Sequence, residues 1–250
     1  MNIVYQLTSI VQKLPEIAVF LGWLKRVTEL KTDLKKHSKD LDYQPLLQSN
    51  VFSSFKNAKI YYPGDDKSKV VLEKVELDFR SKTLILGSSG SGKTSIFRSA
   101  KGLAPVGSDF ELQELEKSMV IPQKGGDILL PEASWLDQLS YPHTWDDLLS
   151  HCIENDAIKV LESMDLKAES LTIVKTDWEK YSPGEVQRIL IARVLLQKPK
   201  YVLLDESVSS LDFTWKVKIF EKLEQSGIIF STISHDRGLE QFHEKVFKTE

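Results

Sequence analysis

The chain has 250 residues, of which 41% are hydrophobic and 28% are charged, and its formal net charge is −3. This composition is typical of a globular chain with room for one large domain or two small ones. The slight negative charge gives no basic surface of the kind that nucleic-acid binding requires, so no nucleic-acid partner is expected. The single cysteine, Cys152, excludes an internal disulfide and is interpreted as a packed small residue.

Residues 1–48 are predicted to form a helical extension and a linker. Apolar residues recur at spacings of three and four along residues 4–21, and Pro15 is expected to begin or kink a helix there. The most apolar run, IAVFLGWL, lies between Glu16 and Lys25 and is too short to cross a bilayer. No cleavable signal peptide is expected. The polar stretch KKHSKDLDYQP is interpreted as the linker.

Residues 49–250 are predicted to form a second domain in which strands alternate with helices. Strands are expected at 55–62, 69–79, 83–87, 117–123, 201–206 and 227–234. Helices are expected at 93–102, over most of 135–180, at 183–197, at 213–225 and along the tail from Arg237. This alternation predicts an α/β fold with a mainly parallel sheet and helices on both of its faces.

The strongest chemical signal is the stretch ILGSSGSGKTS, which fits the phosphate-loop pattern G-x-x-x-x-G-K-[ST] between a predicted strand and a predicted helix. Its backbone N–H groups would point at phosphate oxygens, Lys93 would reach the β- and γ-phosphates, and the Thr94 hydroxyl would bind Mg²⁺. A glycine-rich turn without a ligand is the alternative, and the lysine and threonine in place disfavour it. The residues predicted to bind ATP here are Gly87, Ser88, Ser89, Gly90, Ser91, Gly92, Lys93, Thr94 and Ser95.

Two acids follow a buried strand in KYVLLDES. Asp205 and Glu206 lie at the carboxyl end of the strand, where ligands bind in open α/β sheets. Asp205 is suited to hold Mg²⁺, and Glu206 to accept a proton from an attacking water or to polarise it. On this pattern alone, a strand that ends in two solvated acids is an equally good interpretation.

The stretch KYSPGEVQR predicts a carefully capped helix start. Ser182 is suited to the N-cap, Pro183 to the first helical position and Glu185 to a capping box with Ser182, while Gly184 leaves the backbone open to close approach. Such an exposed helix N-terminus can bind an anion, although a stable cap without a ligand is the simpler interpretation.

From about Val51 to the end, the series of motifs resembles the nucleotide-binding domain of ATP-binding-cassette (ABC) transporters. GSSGSGKT corresponds to Walker A, Gln123 to the Q-loop, YSPGE to the signature, YVLLDE to Walker B, SSLD with Asp212 to the D-loop, and His235 to the switch histidine. The resemblance implies a P-loop NTPase fold with a mainly parallel sheet, an antiparallel β subdomain and a helical signature subdomain.

The resemblance also implies roles for residues whose individual signals are weak. Gln123 would join Thr94 and Asp205 at Mg²⁺ and would also belong to the catalytic residues, with Glu206 and His235. His235 would contact the γ-phosphate and orient Glu206. Tyr62, 31 positions before Lys93, matches the aromatic residue that stacks on adenine. Taken alone, a tyrosine in a strand or a histidine at a strand end is usually structural.

Two such domains pair head to tail in this family, as homodimers or heterodimers. The resemblance therefore implies that the signature of one domain covers the ATP held by the other, through Ser182, Pro183, Gly184 and Glu185. Pro183 replaces the first glycine of the commoner signature, and its fixed φ suits that position.

WLDQLSYP, DWEKYSPGEVQR and HDRGLEQFHEKV resemble segments of subfamily D half-transporters, which include peroxisomal fatty acyl-CoA transporters and a lysosomal cobalamin transporter, and of their bacterial and plastid relatives. This implies ATP hydrolysis that powers transport, with a transmembrane domain encoded upstream or on another chain. The expected location is the cytosolic face of an organelle membrane, peroxisomal or lysosomal, or of a bacterial inner membrane. Residues 1–48 would be a remnant of the end of the transmembrane domain.

The chain departs from this family in two places. Residues 124–134, KGGDILLPEAS, lack the usual aromatic-containing sequence in the region that meets the transport domain, and Tyr181 replaces leucine. A soluble, non-transport ABC ATPase is an alternative, disfavoured because neither a second cassette nor a coiled coil is visible. A regulatory cassette without activity is another, disfavoured because Lys93, Glu206 and His235 are all present.

Overall fold

A computed structural model describes residues 25–29, 31–32, 51–61, 70–101, 106–107, 110–115, 117–123, 125–143, 154–167, 171–172 and 178–249. The chain divides into two compact units, Met1–Leu47 and Gln48–Glu250. The described residues of the first unit are helical and exposed, with a hydrogen bond from the Thr32 hydroxyl to the Thr28 carbonyl at 2.8 Å. Within the described ranges, no helix is long and apolar enough to span a membrane. Cys152 and Tyr62 lie outside them.

The described part of the second unit contains nine strands and five α-helices. The strands are β1 (Val51–Tyr61), β2 (Val70–Asp78), β3 (Thr83–Leu86), β4 (Val106–Gly107), β5 (Phe110–Leu115), β6 (Ser118–Ile121), β7 (Tyr201–Asp205), β8 (Ile229–Ser234) and β9 (Lys245–Lys248). The helices are α1 (Lys93–Ala100), α2 (Trp135–Ser140), α3 (Glu154–Ser163), α4 (Pro183–Gln197) and α5 (Phe213–Gln225). Short 3₁₀ helices occupy Gly125–Ile128, Trp178–Lys180 and Arg237–Phe242.

Five parallel strands form the central sheet, in the order β6-β7-β8-β3-β9. Leu86 at the end of β3 pairs with Ser234 at the end of β8, and Asp205 at the end of β7 pairs with Ile233. The carboxyl ends of these strands therefore lie at one edge of the sheet. The segments that follow them carry the phosphate loop, the two acids and His235, so the topology gathers these motifs on one side of the molecule.

Alternate residues of the central strands face two hydrophobic cores. Leu84 and Leu204 join the core that contains α4 and α5, whereas Ile85 and Leu203 join the core that contains α1 and the strands β1 and β2. This alternation follows from the two-residue period of a strand. The predicted parallel sheet with helices on both faces is confirmed.

A second, antiparallel sheet has the order β2-β1-β4, and β5 also pairs with β1. It corresponds to the antiparallel subdomain implied by the family resemblance. The residue pattern did not predict β4 or β5 individually. β4 has only two residues, which is too short to show a period, and its pairing with Lys59 and Ile60 of β1 is a tertiary contact.

The prediction of a helical tail from Arg237 is wrong beyond residue 242. A 3₁₀ helix covers Arg237–Phe242, and the chain then forms β9, which pairs in parallel with β3. β9 is an edge strand whose side chains are mostly exposed and include Lys245 and Lys248. Exposed, charged edge strands carry little hydrophobic period, so only the pairing with β3 reveals this strand.

Candidate functional site

The loop between β3 and α1 curls around the side chain of Lys93. Gly92 is the N-cap of α1 and has φ +86°, a left-handed conformation that favours glycine. The Lys93 ammonium donates to the carbonyls of Gly87 at 3.0 Å and Ser88 at 2.7 Å. Burial lowers the pKa of Lys93, while the negative charges of Glu206 and Asp205 act in the opposite direction. The loop thus holds the positive charge of the Lys93 ammonium at the edge of the sheet.

The start of the loop is packed against the end of the chain. The Thr249 hydroxyl lies 2.6 Å from Ser91 Oγ and donates to the Leu86 carbonyl at 3.2 Å. A Cβ atom on Gly87 would collide with the Thr249 hydroxyl. Glycine at this position is therefore also a packing requirement set by the segment after β9. Nothing in the local sequence indicated the contact with Thr249.

The rest of the loop is open or begins the helix. Ser88, Ser89 and Gly90 are exposed, and the Ser95 N–H donates to the Gly92 carbonyl at 2.9 Å in the first turn of α1. The exposed backbone is free to meet a ligand from solvent.

Asp205 and Thr94 bring two oxygen atoms together beside this loop. Asp205 is 5% exposed, and its Oδ1 accepts a hydrogen bond from the Thr94 hydroxyl at 3.4 Å. Burial raises the pKa of Asp205, and the hydrogen bond from Thr94 opposes that effect. A carboxylate and a hydroxyl are ligands that Mg²⁺ accepts, usually together with water and phosphate oxygens. No group of three or more His, Cys, Asp or Glu side chains suited to a metal occurs in the described part of the chain.

Gln123, Glu206 and His235 meet at the ends of three adjacent strands. The Gln123 amide donates to Glu206 Oε2 at 2.7 Å, and His235 Nε2 lies 3.0 Å from Glu206 Oε1. Glu206 has φ +49°, which is uncommon for a residue with a side chain, and its N–H donates to the Ile233 carbonyl at 3.0 Å. The turn after Asp205 thus directs the two neighbouring acids to different partners, the hydroxyl of Thr94 for Asp205 and the amide of Gln123 for Glu206.

The structure brings Gln123 to Glu206 rather than to the Thr94–Asp205 pair. The sequence predicts Gln123 both among the catalytic residues and among the metal ligands, and its hydrogen bond here is to Glu206, the acid predicted to activate water. Gln123 is exposed, so its side chain is accessible to a ligand that enters the site.

The predicted cap at the start of α4 is confirmed. The Glu185 N–H donates to Ser182 Oγ at 3.3 Å, and the Ser182 N–H donates to Glu185 Oε2 at 2.9 Å, with Pro183 at the start of the helix. The hydrogen bonds from Ser182 lower the pKa of Glu185. Ser182 and Pro183 are exposed. Among the described residues, Ser182, Pro183, Gly184 and Glu185 form no hydrogen bond to the phosphate loop, Asp205 or Glu206 of their own chain.

The departure at Tyr181 is explained by an aromatic cluster. The Tyr181 ring stacks on Trp178 at 5.5 Å and meets Trp135 edge to face at 5.8 Å between ring centroids. Trp135 and Trp178 are themselves buried and in edge-to-face contact at 4.9 Å. These ring contacts anchor Tyr181, the first residue of the signature, to the core.

Two polar contacts behind the signature were not predicted. The buried Gln187 amide accepts from the Ser210 N–H at 3.0 Å and donates to Ser209 Oγ at 3.4 Å. Asp212 Oδ1 accepts from the Trp215 N–H at 2.9 Å and is the N-cap of α5. The aspartate directly before FTWK was a recognisable N-cap signal, whereas the Gln187 contact depends on tertiary structure alone.

A parallel sheet with a glycine-rich loop and a lysine after one strand, and acids at the end of another, defines the class of P-loop nucleotide-binding domains. The profile of the ABC transporter family matches residues 72–209, and the chain belongs to that family.

Similar curated proteins carry subfamily D names. The chain is 30% identical over 214 residues to ABC transporter D family member 2 of Dictyostelium discoideum. The alignment covers 78% of this chain and 27% of that protein. It is 29% identical over 235 residues to ATP-binding cassette sub-family D member 1 of Drosophila melanogaster, covering 80% and 32% respectively. It is 28% identical over 203 residues to a lysosomal cobalamin transporter of Homo sapiens, covering 74% and 32%. The chain thus spans about a third or less of the length of these relatives.

Solved structures share the fold. A bacterial Atm1-family ABC exporter with ATP bound matches with a TM-score of 0.62 at 18% identity, over 84% of this chain and 38% of that chain. A dimeric ATP-binding cassette in a post-hydrolysis state with ADP and phosphate matches with a TM-score of 0.62 at 20% identity, over 79% of this chain and 94% of that one.

Proposed function

We propose that the chain is the nucleotide-binding part of a subfamily D-like ABC half-transporter, which binds and hydrolyses ATP to power transport across a membrane. The observation that carries the proposal is the set of contacts of Glu206. Its two carboxylate oxygens lie against Gln123 and His235, at the same sheet edge as the lysine-centred loop. A merely structural strand end has no need of this arrangement.

Nucleotide binding is assigned to the loop from Gly87 to Ser95. The Lys93 ammonium now bonds to loop carbonyls and would exchange these for the β- and γ-phosphate oxygens of ATP, which are stronger acceptors because they are charged. The exposed backbone at residues 88–90 would wrap the same phosphates. Tyr62 is proposed to stack on adenine.

Thr94 and Asp205 are proposed to hold Mg²⁺, with Gln123 joining them when nucleotide is bound. The Thr94 and Asp205 oxygens are already neighbours and are of the kind this cation prefers. When bound, Mg²⁺ would neutralise charge on the phosphate oxygens. The raised pKa of Asp205 reflects its burial, and a cation beside it would favour the ionised carboxylate.

Glu206 is proposed to accept a proton from the attacking water. His235 would hold one carboxylate oxygen in place and contact the γ-phosphate, and Gln123 would orient the water from the other side. A general base has to be within hydrogen-bond distance of the proton it removes, so fixing the carboxylate from two sides prepares it for this step.

The complete site is proposed to require a second domain of the same kind, paired head to tail. Ser182 and the N–H of Gly184 would donate to the γ-phosphate held by the partner, aided by the positive end of α4. Support comes from the exposure of Ser182 and from its lack of hydrogen bonds to the phosphate loop within the described part of its own chain. Asp212 would complete the D-loop contribution while it caps α5.

Transport is proposed to depend on a transmembrane domain, encoded upstream or on another chain, with this domain on the cytosolic side of the membrane. The subfamily D names of the relatives support it. A peroxisomal or lysosomal membrane in a eukaryote, or the inner membrane of a bacterium, is the corresponding location. Residues 1–48 are proposed to be the extension that leads out of the transmembrane domain.

The test of this function is ATP turnover by the purified chain. We expect Mg-dependent release of phosphate at a rate that rises more than linearly with protein concentration, because pairing assembles the site. Glu206→Gln is expected to retain ATP binding and to lose turnover, because the amide keeps the shape of the acid without its proton affinity. Turnover near the wild-type rate in this variant would remove Glu206 from the proposed role. A rate of phosphate release strictly proportional to protein concentration would exclude the paired site.

A further inference from the structure

Gln187 lies two residues beyond the signature and joins the start of α4 to the D-loop of the same chain. Its side chain is 5% exposed, and its amide meets both the Ser210 N–H at 3.0 Å and Ser209 Oγ at 3.4 Å. We propose that Gln187 is a positioning residue, which fixes the signature turn to residues 209–212 so that both reach the partner's nucleotide as one rigid unit. The inference rests on the function proposed above.

The signature turn and the D-loop lie close together. A Cβ atom on Gly184 would lie 3.4 Å from Leu211 Cδ2 and 3.5 Å from the Ser210 carbonyl oxygen, so the backbones there are separated by little more than one side-chain atom. Leu211 is buried beneath this contact. The amide of Gln187 adds direction to it, because two hydrogen bonds from one planar group define an orientation as well as a distance.

Gln187 anchors the D-loop to α4 through two side-chain hydrogen bonds, one with Ser209 and one with Ser210. The following residue, Arg188, instead places its guanidinium 4.7 Å from the ring centroid of Trp215 and donates to the Met164 carbonyl at 2.8 Å. Arg188 thus fixes α4 to α5 and to the residue that follows α3. The contacts with Ser209 and Ser210 come from Gln187.

Glu206 is held independently of Gln187. The D-loop turn begins at Glu206, whose carbonyl accepts from the Ser209 N–H at 3.0 Å. The Glu206 carboxylate, however, is fixed from the other side by Gln123 and His235. Loss of the Gln187 amide should therefore displace the groups offered to the partner and leave the water-activating acid of its own chain in place. The defect should follow the chain that supplies the signature.

Mixed dimers separate these two contributions. A Ser182→Arg chain mixed with a Glu206→Gln chain before ATP is added forms one site with both defects and one intact site. In the intact site, the Glu206→Gln chain supplies the signature and the Ser182→Arg chain supplies Glu206. Gln187→Met, which keeps the side-chain length and removes both hydrogen bonds, is then placed in either chain.

We expect Gln187→Met to lower the turnover of the mixed dimer about tenfold when it is in the chain that supplies the signature, because small displacements of catalytic groups have large effects. In the other chain we expect a loss within about twofold. Gln187→Glu should restore at least half of the turnover, since a carboxylate accepts from the Ser210 N–H and from the Ser209 hydroxyl. Binding of ATP to each single chain, measured by fluorescence titration, should not change.

The matched control is Gln197→Met. Gln197 lies at the other end of α4, and its amide donates to the carbonyls of Leu139, Ser140 and Tyr141 at 2.6 to 3.0 Å. This variant loses comparable hydrogen bonds without touching the D-loop, and its turnover should not depend on which chain carries it. Thermal unfolding of every variant gives the folded fraction by which rates are corrected, and Ser209→Ala provides a milder second variant that should show the same dependence on the chain.

Equal losses from Gln187→Met in both chains, or the same losses from Gln197→Met, would overturn the positioning role. An inactive reference mixture without any change at Gln187 would instead overturn the head-to-tail pairing, and the assignment of Gln187 with it.

Discussion

The imidazole Nε2 of His235 lies 3.0 Å from Oε1 of Glu206, across the ends of two neighbouring parallel strands. The pair forms because His235 directly follows β8 and Glu206 directly follows β7, and these strands are paired in register. Each side chain alone has a structural interpretation, but their contact beside the phosphate loop favours a shared part in hydrolysis.

His235→Ala is expected to lower ATP turnover by about 10²- to 10⁴-fold, because Glu206 loses the group that orients it. ATP affinity should change far less than turnover, since the variant loses one contact to the γ-phosphate while Lys93 and the loop backbone still bind the phosphates. Steady-state phosphate release and a separate nucleotide titration would measure the two effects. His143→Ala is the control, because His143 is exposed and lies after α2. Turnover unchanged in His235→Ala would exclude His235 from the site.

Lys93→Ala is expected to weaken Mg-ATP binding by about 10- to 100-fold, the usual consequence of losing charge-assisted hydrogen bonds. Fluorescence titration with a nucleotide analogue measures this directly. Lys159→Ala removes an exposed lysine from α3 and should bind ATP as the unmodified chain does. Equal affinity in the two variants would contradict the assignment of the phosphate loop.

Ser182→Arg is expected to leave ATP binding to the chain's own loop intact and to cut hydrolysis steeply. The bulky side chain would keep this signature away from the γ-phosphate in the one site that it completes, at an exposed position where it does not disturb the core. Pro183→Gly should be mild in comparison, because glycine loses only the fixed φ at the first helical position. Analytical ultracentrifugation with ATP would show whether dimer formation falls in step with the rate. Wild-type hydrolysis by Ser182→Arg would mean that the signature does not act across an interface.

Gly87→Ala is expected to lower the free energy of unfolding by about 1–3 kcal/mol, because the added methyl group collides with the Thr249 hydroxyl. Urea denaturation gives the value. Thr249→Ala removes the nearer of the two colliding oxygens, the other being Ser91 Oγ, and should relieve part of the cost. The double variant should therefore be more stable than the sum of the single changes predicts. If the two changes in the free energy of unfolding are strictly additive, residue 87 and Thr249 do not interact.

The fold is expected to lose stability in mild acid because of His243. Burial lowers the pKa of His243 from 6.5 to about 4, and the neutral ring bonds to the Leu239 carbonyl and the Thr232 hydroxyl. The nearby charges of Lys82 and Glu224 act in opposite directions and also pair with each other at 2.7 Å. Between these two pKa values the unfolded chain binds the proton more tightly than the folded chain, so stability falls as the pH drops from about 6.5 towards 4.

We expect this residue to make the free energy of unfolding about 2 kcal/mol lower at pH 5 than at pH 7. Urea denaturation at several pH values would measure the slope, and His243→Gln should flatten it because glutamine does not titrate. His143→Gln is the matched control at an exposed position. An unchanged slope in His243→Gln would show that other groups cause the acid sensitivity.

Much of the fold and of the candidate site was predictable from local sequence. The extent of α4, Pro183–Gln197, the extent of α5, Phe213–Gln225, and the capping box of Ser182 and Glu185 agree with the predictions, because caps and helical periods are encoded within a few residues of one another. The motifs that supply Lys93 and Glu206 were visible for the same reason. Each is a short run of residues whose chemistry depends on spacing.

Tertiary structure alone decided which distant groups meet. β9 has too little hydrophobic period to be predicted as a strand, and it exists because the edge of β3 offers backbone hydrogen bonds. The collision that excludes a side chain at Gly87 comes from Thr249, and the partners of the buried Gln187 amide lie 22 and 23 positions further along the chain. Contacts between residues so far apart in sequence follow from strand order and helix packing, which no local pattern of residues specifies.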